Sequence, residues 1–226
     1  MKGRPDDWTS AAEAYPLPLR TILINATAAG FRGVWVDRAA YADRGARVES
    51  TIVSLTGPQS PIVSGDNRLT FYTLQPLQQK LDATYPPARI ARAGKALVSP
   101  TVTDYGAGFQ GAESGPAGTR WRWATQRAVL TLSNPTPSRR VIMWSGAFSA
   151  TPGTTVRVTQ GGRTLFRRIL TTGSTPFRIP LASPAGTSTV EVISDGANQA
   201  PASDPRMLNL NVGNPVLSDP SLITMP

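Results

Sequence analysis

Tyr105-Gly-Ala-Gly-Phe-Gln-Gly-Ala-Glu113-Ser-Gly-Pro-Ala-Gly-Thr-Arg120-Trp121-Arg122-Trp123-Ala124, continuing to Val129-Leu-Thr-Leu-Ser-Asn134-Pro135, decides the fold of this 226-residue chain. A glycine-rich loop passes through Glu113 into Trp121-Arg122-Trp123, and a short alternating strand follows and stops at Asn134-Pro135. Alternation puts Trp121 and Trp123 on one side of a strand and Arg122 on the other. The two tryptophans are therefore both core or both exposed, and core is the expectation. Glu113 with Arg120 and Arg122 would then form a charge pair fixing the loop. A functional reading uses the same residues differently. Aromatic faces stack on the C–H faces of sugar rings, and carboxylate and guanidinium groups bind hydroxyls in pairs.

Downstream, the hydrophobic period is 2 from about residue 88. Strands are expected at 128–132, 140–147, 155–159, 164–171, 175–180, 187–194 and 208–216, with Gly-Gly, Pro-Gly, Thr-Gly and Asp-Gly pairs between several of them. Short strands with turn signals every 8–12 residues indicate an antiparallel, jelly-roll-like β-sandwich. Upstream the pattern differs. Residues 17–29 read as an amphipathic helix, 33–37 as a short buried strand, and 43–55 as a helix with Asp43 as its N-cap. Residues 61–64 and 69–74 read as paired strands around a Gly65-Asp66-Asn67-Arg68 turn, 77–83 as one or two helical turns, and Tyr85-Pro86-Pro87 as a boundary. The fold class is thus α+β, with a small α/β unit over 1–87 and the sandwich over 88–226.

Composition narrows the chemistry. The chain has no Cys and no His, which excludes thiol nucleophiles, Ser-His-Asp triads, His-based acid–base catalysis and zinc fingers. Of its 23 basic residues only Lys2, Lys80 and Lys95 are lysine, and the net charge is +9. The arginines are spread out with no run of five or six basic residues, so nucleic acid is not the expected partner. No stretch approaches the ~20 apolar residues of a membrane span. Met1 to Trp8 has a basic start without an apolar core, so it is not read as a signal peptide and the chain is expected to be soluble as given.

The remaining motifs favour plain explanations. Gly106-Ala-Gly108-Phe-Gln-Gly111 matches a dinucleotide-binding string but lacks the strand-to-helix setting, so no nucleotide cofactor is expected. Asp37 and Asp43 are the nominal acid pair for glycosidic chemistry, yet capping and salt bridging account for both. Asp37-Arg38, directly after a buried strand, joins the candidate ligand-binding residues. Asp66-Asn67 and Asp195-Gly196 fit turns rather than calcium loops. No catalytic residue, metal site or cofactor is assigned.

Three passages carry a resemblance: Lys2-Gly-Arg-Pro-Asp-Asp-Trp8; Ala28-Ala-Gly-Phe-Arg-Gly-Val-Trp-Val-Asp-Arg38 with Tyr41 and Asp43; and Ser64-Gly-Asp-Asn-Arg-Leu-Thr-Phe-Tyr-Thr-Leu74. The chain resembles the C-terminal extracytoplasmic region of bacterial multi-pass membrane proteins of the glycosyltransferase or phosphoglycerol-transferase (sulfatase-like) type. Such regions end in a carbohydrate-binding-module-like sandwich with a Glu…Arg-Trp loop and a late Asp-Pro-Arg, here Glu113, Arg122-Trp123 and Asp204-Pro205-Arg206. The resemblance implies a non-catalytic envelope module that binds or positions a glycan or lipid-linked sugar, in the periplasm or cell envelope. Its partner would be the membrane-embedded domain of its parent. The alternative is a structural or protein-interaction domain without sugar contact. The expected ligand-binding residues are Glu113, Arg120, Trp121, Arg122, Trp123, Asp37 and Arg38.

Overall fold

A computed structural model describes residues 17–115 and 118–225. The Lys2–Trp8 passage lies outside the described residues. By internal contacts the chain divides into one unit of Met1–Pro100 with Ser221–Pro226 and another of Thr101–Pro220.

In the first unit, helix α1 (Leu19–Ala28) leads to strand β1 (Gly33–Asp37), helix α2 (Ala46–Thr56), strands β2 (Ile62–Val63) and β3 (Leu69–Thr73), and helices α3 (Gln75–Thr84) and α4 (Pro87–Val98). The strands form an antiparallel sheet in the order β1-β3-β2. The core joins Leu23 and Ile24 of α1 with Ile52 of α2, Tyr72 of β3, Leu77 and Leu81 of α3, and Ile223. The sheet is buried on one face only. Val36 is buried, while Trp35 is 58% exposed and Ile62 65%. Trp35, Phe71 and Ile62 are cross-strand partners, so they share the uncovered face.

Helix α4 replaces the change to a two-residue period expected from residue 88. Pro87 occupies the first helical turn, where a missing N–H costs nothing and the fixed φ suits a helix. Ile90, Ala93, Gly94, Ala96 and Leu97 then make a buried stripe at helical spacing. A Cβ on Gly94 would lie 2.5 Å from the Ala28 carbonyl oxygen, so α1 and α4 approach too closely for any larger residue. The C-terminal segment belongs here too. The Asn25 side-chain amide donates to the Ile223 carbonyl at 3.0 Å and its oxygen accepts from the Ile223 N–H at 2.8 Å. Asn25 is fully buried.

The second unit is a β-sandwich of two antiparallel sheets. Its strands are β4 (Val102–Tyr105), β5 (Phe109–Ser114), β6 (Arg120–Ala124), β7 (Arg127–Asn134), β8 (Arg140–Ser149), β9 (Thr155–Gln160), β10 (Arg163–Ile169), β11 (Thr175–Ser183), β12 (Gly186–Ser194) and β13 (Leu210–Ser218). One sheet runs β10-β9-β12-β7-β4 and the other β11-β8-β13-β6-β5, so the chain crosses repeatedly between them. The seven strands expected from alternation are all present, with ends moved by a few residues. Inward positions alternate along them: Leu130 and Leu132, Val156 and Val158, Val190 and Val192, Phe177, Ile179 and Leu181 are all buried. Phe148 stacks on Phe177 at 4.1 Å within one sheet and meets Phe166 of the other at 5.6 Å. Burying a side chain of this size stabilises by roughly 1.5–3 kcal/mol.

Candidate functional site

The glycine-rich loop is structural. It joins strand to strand, and Gly106 N–H and Val129 N–H bond across to the carbonyls of Val129 and Ala107. Gly108 has φ +83°, and a Cβ there would lie 2.1 Å from the Arg127 carbonyl. Glycine is thus required at 108, where the backbone lies flat against β7.

Strand register then sets the directions of the side chains that follow. Arg122 is opposite Val212 and Ala124 opposite Leu210, and all but Arg122 are fully buried. Arg122 therefore points between the sheets. Its guanidinium lies 4.5 Å from the Tyr105 ring centre, and Nη1 donates to the Gln110 carbonyl at 3.1 Å, within the bulge of β5. Burial pushes the Tyr105 hydroxyl up to about 12, tempered by the Trp144 indole N–H and the Arg122 charge. The Tyr105 hydroxyl and Trp144 Nε1 do not, however, meet in hydrogen-bonding geometry.

Trp121 and Trp123 consequently face the other way, and the expectation that they belong to the core is corrected. Both are half-buried on the outer side of the sheet. Trp144 is a fully buried tryptophan of the core. Trp121 lies in a cross-strand row with Gly213, Ala147 and Pro176, and Trp123 in a row with Asn211 and Ser149. An indole thus stands beside a floor of glycine and alanine, with an amide and a hydroxyl in the next row.

Glu113 is the cross-strand partner of Trp121 and accepts its indole N–H at 3.0 Å. It does not pair with Arg120 or Arg122, as the sequence reading had it. Alternation sends both arginines to the opposite side of β6 from Trp121. Its cation is Arg206, whose Nη1 is 2.7 Å from Glu113 Oε1. Arg206 also forks onto Asp204, with contacts of 3.0 and 2.7 Å. These bonds hold the Arg206 guanidinium charged and the Asp204 carboxyl below its ordinary range. Arg120 contributes its exposed N–H to Asn214 Oδ1 at 3.0 Å. The structure thus brings together Glu113, Trp121 and Trp123 from adjacent strands with Asp204 and Arg206 from the loop before β13. Asp204 and Arg206 were legible only through the late Asp-Pro-Arg of the family resemblance, since no local pattern ties residue 113 to residue 206.

Asp37 and Arg38 lie in the first unit and form a separate cluster. The Arg68 guanidinium forks onto Asp37 at 3.0 and 2.7 Å, and this bond first of all lowers the Asp37 carboxyl. Arg38 forks onto Glu49 at 2.7 and 3.0 Å, and the Tyr72 hydroxyl donates to the same carboxylate at 3.0 Å. Asp43 accepts from the N–H groups of Gly45 and Arg47 at 3.1 Å each, at the start of α2. Both members of the nominal acid pair are therefore engaged. A pocket of about 460 Å³ beside them is lined by Arg38, Tyr41, Arg44, Asp66 and Arg68.

No protein-family model matches the chain, and no curated protein matches it. Solved structures with local likeness include a family 6 carbohydrate-binding module of Clostridium stercorarium in complex with cellobiose. It has 19% identity and a TM-score of 0.29, over 52% of this chain and 86% of that one. A β-1,3-glucan-binding family 6 module of Bacillus halodurans has 16% identity and a TM-score of 0.32, over 53% and 95%. A family 35 module of Paenibacillus barcinonensis has 12% identity and a TM-score of 0.31, over 52% and 98%.

Proposed function

We propose that this chain is a non-catalytic glycan-binding module, with a binding surface on the outer face of the β11-β8-β13-β6-β5 sheet. The observation that carries the reading is the outward placement of Trp121 and Trp123 on a strand whose alternate positions fill the core. A half-exposed indole beside a glycine-alanine floor suits the flat apolar side of a sugar ring. Glu113, Arg206 and Asp204 hold one another in fixed positions at the edge of that surface, and Asn211 supplies a neutral donor and acceptor. Groups already held in place lose little further freedom when a ligand arrives. Arg122 supports the surface from behind rather than touching a sugar, because it is stacked on Tyr105 between the sheets.

The setting we propose rests on the family resemblance: the extracytoplasmic part of a membrane-bound envelope-glycan or lipid-linked-sugar transferase. No helix among the described residues is long and apolar enough to cross a membrane. A second reading, a protein contact, is favoured by a different surface, the uncovered Trp35–Phe71–Ile62 face of the first unit. The two readings occupy different units and are compatible, with the membrane-embedded domain of the parent as the proposed protein partner.

Titration of the full chain with neutral envelope oligosaccharides, followed by tryptophan fluorescence and calorimetry, tests the glycan reading. Trp121→Ala and Trp123→Ala should each weaken binding about tenfold or more, and Glu113→Gln severalfold. Absence of binding at millimolar sugar, or binding indifferent to both tryptophan changes, overturns it.

A further inference from the structure

The sandwich carries a second concavity, with residues different from those around Trp121. It is a groove of about 600 Å³ at the end marked by the β9–β10 and β11–β12 turns. Its volume falls in the range of small-ligand sites, roughly 300–1,000 Å³. Val141, Leu165, Pro180 and Pro184 give it an apolar floor, and Arg139 and Arg163 stand at its margins. Both arginines are exposed, and neither has an acidic partner among the described residues.

Two further features mark this groove as pre-formed. Gln160 of β9 bonds both backbone groups of Ala182, accepting its N–H at 2.8 Å and donating to its carbonyl at 2.5 Å. That amide ties one sheet to a strand of the other and fixes the wall. Gly161 and Gly162, with φ of +54° and +77°, form the two-residue turn at the mouth. Positive φ at both positions matches the tight hairpin geometry that favours glycine, and no side chain there closes the entrance.

We infer that this groove is a site for an anionic saccharide, independent of the Trp121 surface. The carboxylate or phosphate ester would lie between Arg139 and Arg163, which have the planar donor geometry for such oxygens. The ring would rest on the Pro180–Pro184 side of the floor. Two guanidinium groups around one concavity match one or two anionic groups. They do not form the phosphate track that a nucleic acid needs.

The test is calorimetric titration of the full chain with glucuronic acid, glucose 1-phosphate, glucose and inorganic phosphate at low and high salt. At least one anionic sugar should bind about tenfold or more tightly than glucose and than inorganic phosphate, weakening as salt rises. Whichever of the two binds identifies carboxylate or phosphate ester as the source of the charge. The double change Arg139→Gln with Arg163→Gln should lower that affinity at least tenfold. Trp121→Ala should leave it unchanged while weakening neutral-sugar binding at the other surface about tenfold or more, which separates the two readings. Failure of both anionic sugars, equal binding by inorganic phosphate, or binding indifferent to the arginine pair overturns the inference. The exposed arginine pair can be changed without touching the core, and circular dichroism checks that the fold persists.

Discussion

The two units of this chain put some of their arginines to different uses. In the first unit Arg38 and Arg68 each fork onto a carboxylate from another element, tying β1 to α2 and to the β2–β3 turn. In the sandwich Arg122 lies on the Tyr105 ring, Arg206 joins two carboxylates beside Trp121, and Arg139 and Arg163 face a groove. The same side chain closes a structure in one place and defines a surface in the other. Partners decide which: Arg38 and Arg68 each spend a bidentate pair of donors on a carboxylate, whereas Arg139 and Arg163 have no acidic partner among the described residues.

This contrast can be broken by measurement, and its largest expected consequence is in alkali. The Tyr105 hydroxyl is held protonated up to about 12 by burial, so the folded state keeps a proton that the unfolded chain gives up near 10. That contribution is fully present below 10 and lost as pH rises through 12. At about 1.4 kcal/mol per unit it amounts to about 3 kcal/mol. Denaturant unfolding of the sandwich at pH 9 and pH 12 should show this loss, and Tyr105→Phe should flatten it. An unchanged slope in the Phe variant would mean that Tyr105 is not the titrating group.

Next in size is the first unit's clamp. Glu49→Ala removes the acceptor of Arg38 and of the Tyr72 hydroxyl together, and should cost about 2 kcal/mol of stability. It should leave sugar binding by the sandwich untouched, and a parallel loss of binding would refute the division of labour between the units. Smallest is Asp37→Asn. The Asp37–Arg68 pair is solvent-exposed, and exposed pairs contribute little. The change should barely move the unfolding midpoint; a sugar-binding defect would assign Asp37 to a ligand site, and unchanged binding would assign it to the salt bridge alone.

Much of the sandwich is legible in the sequence because most of its strands are long, alternate in burial and are separated by glycine-containing turns. The seven strands from β7 to β13 carry that signal. Strands β4 and β5 do not, because short half-exposed segments around flat-lying glycines have no apolar face to reveal them. Helix α4 hid behind Pro86-Pro87, since a proline pair marks a helix start as readily as a boundary. The direction of Trp121 and Trp123 needed the register to β13: alternation says that they agree, and only Val212 opposite Arg122 says which way they point. The pairing of Glu113 with Arg206 spans 93 residues, and no local pattern records it.

The return of Ser221–Pro226 to the first unit makes the sandwich an insertion, entered at Thr101 and left at Pro220. Under tension this determines the order of events. A pull between residues near 17 and near 225 acts first on the Asn25–Ile223 clasp and the helices around it. The sandwich lies in a loop outside the loaded path and comes under load only after that clasp opens. The sandwich is thereby shielded from strain carried by the rest of the chain.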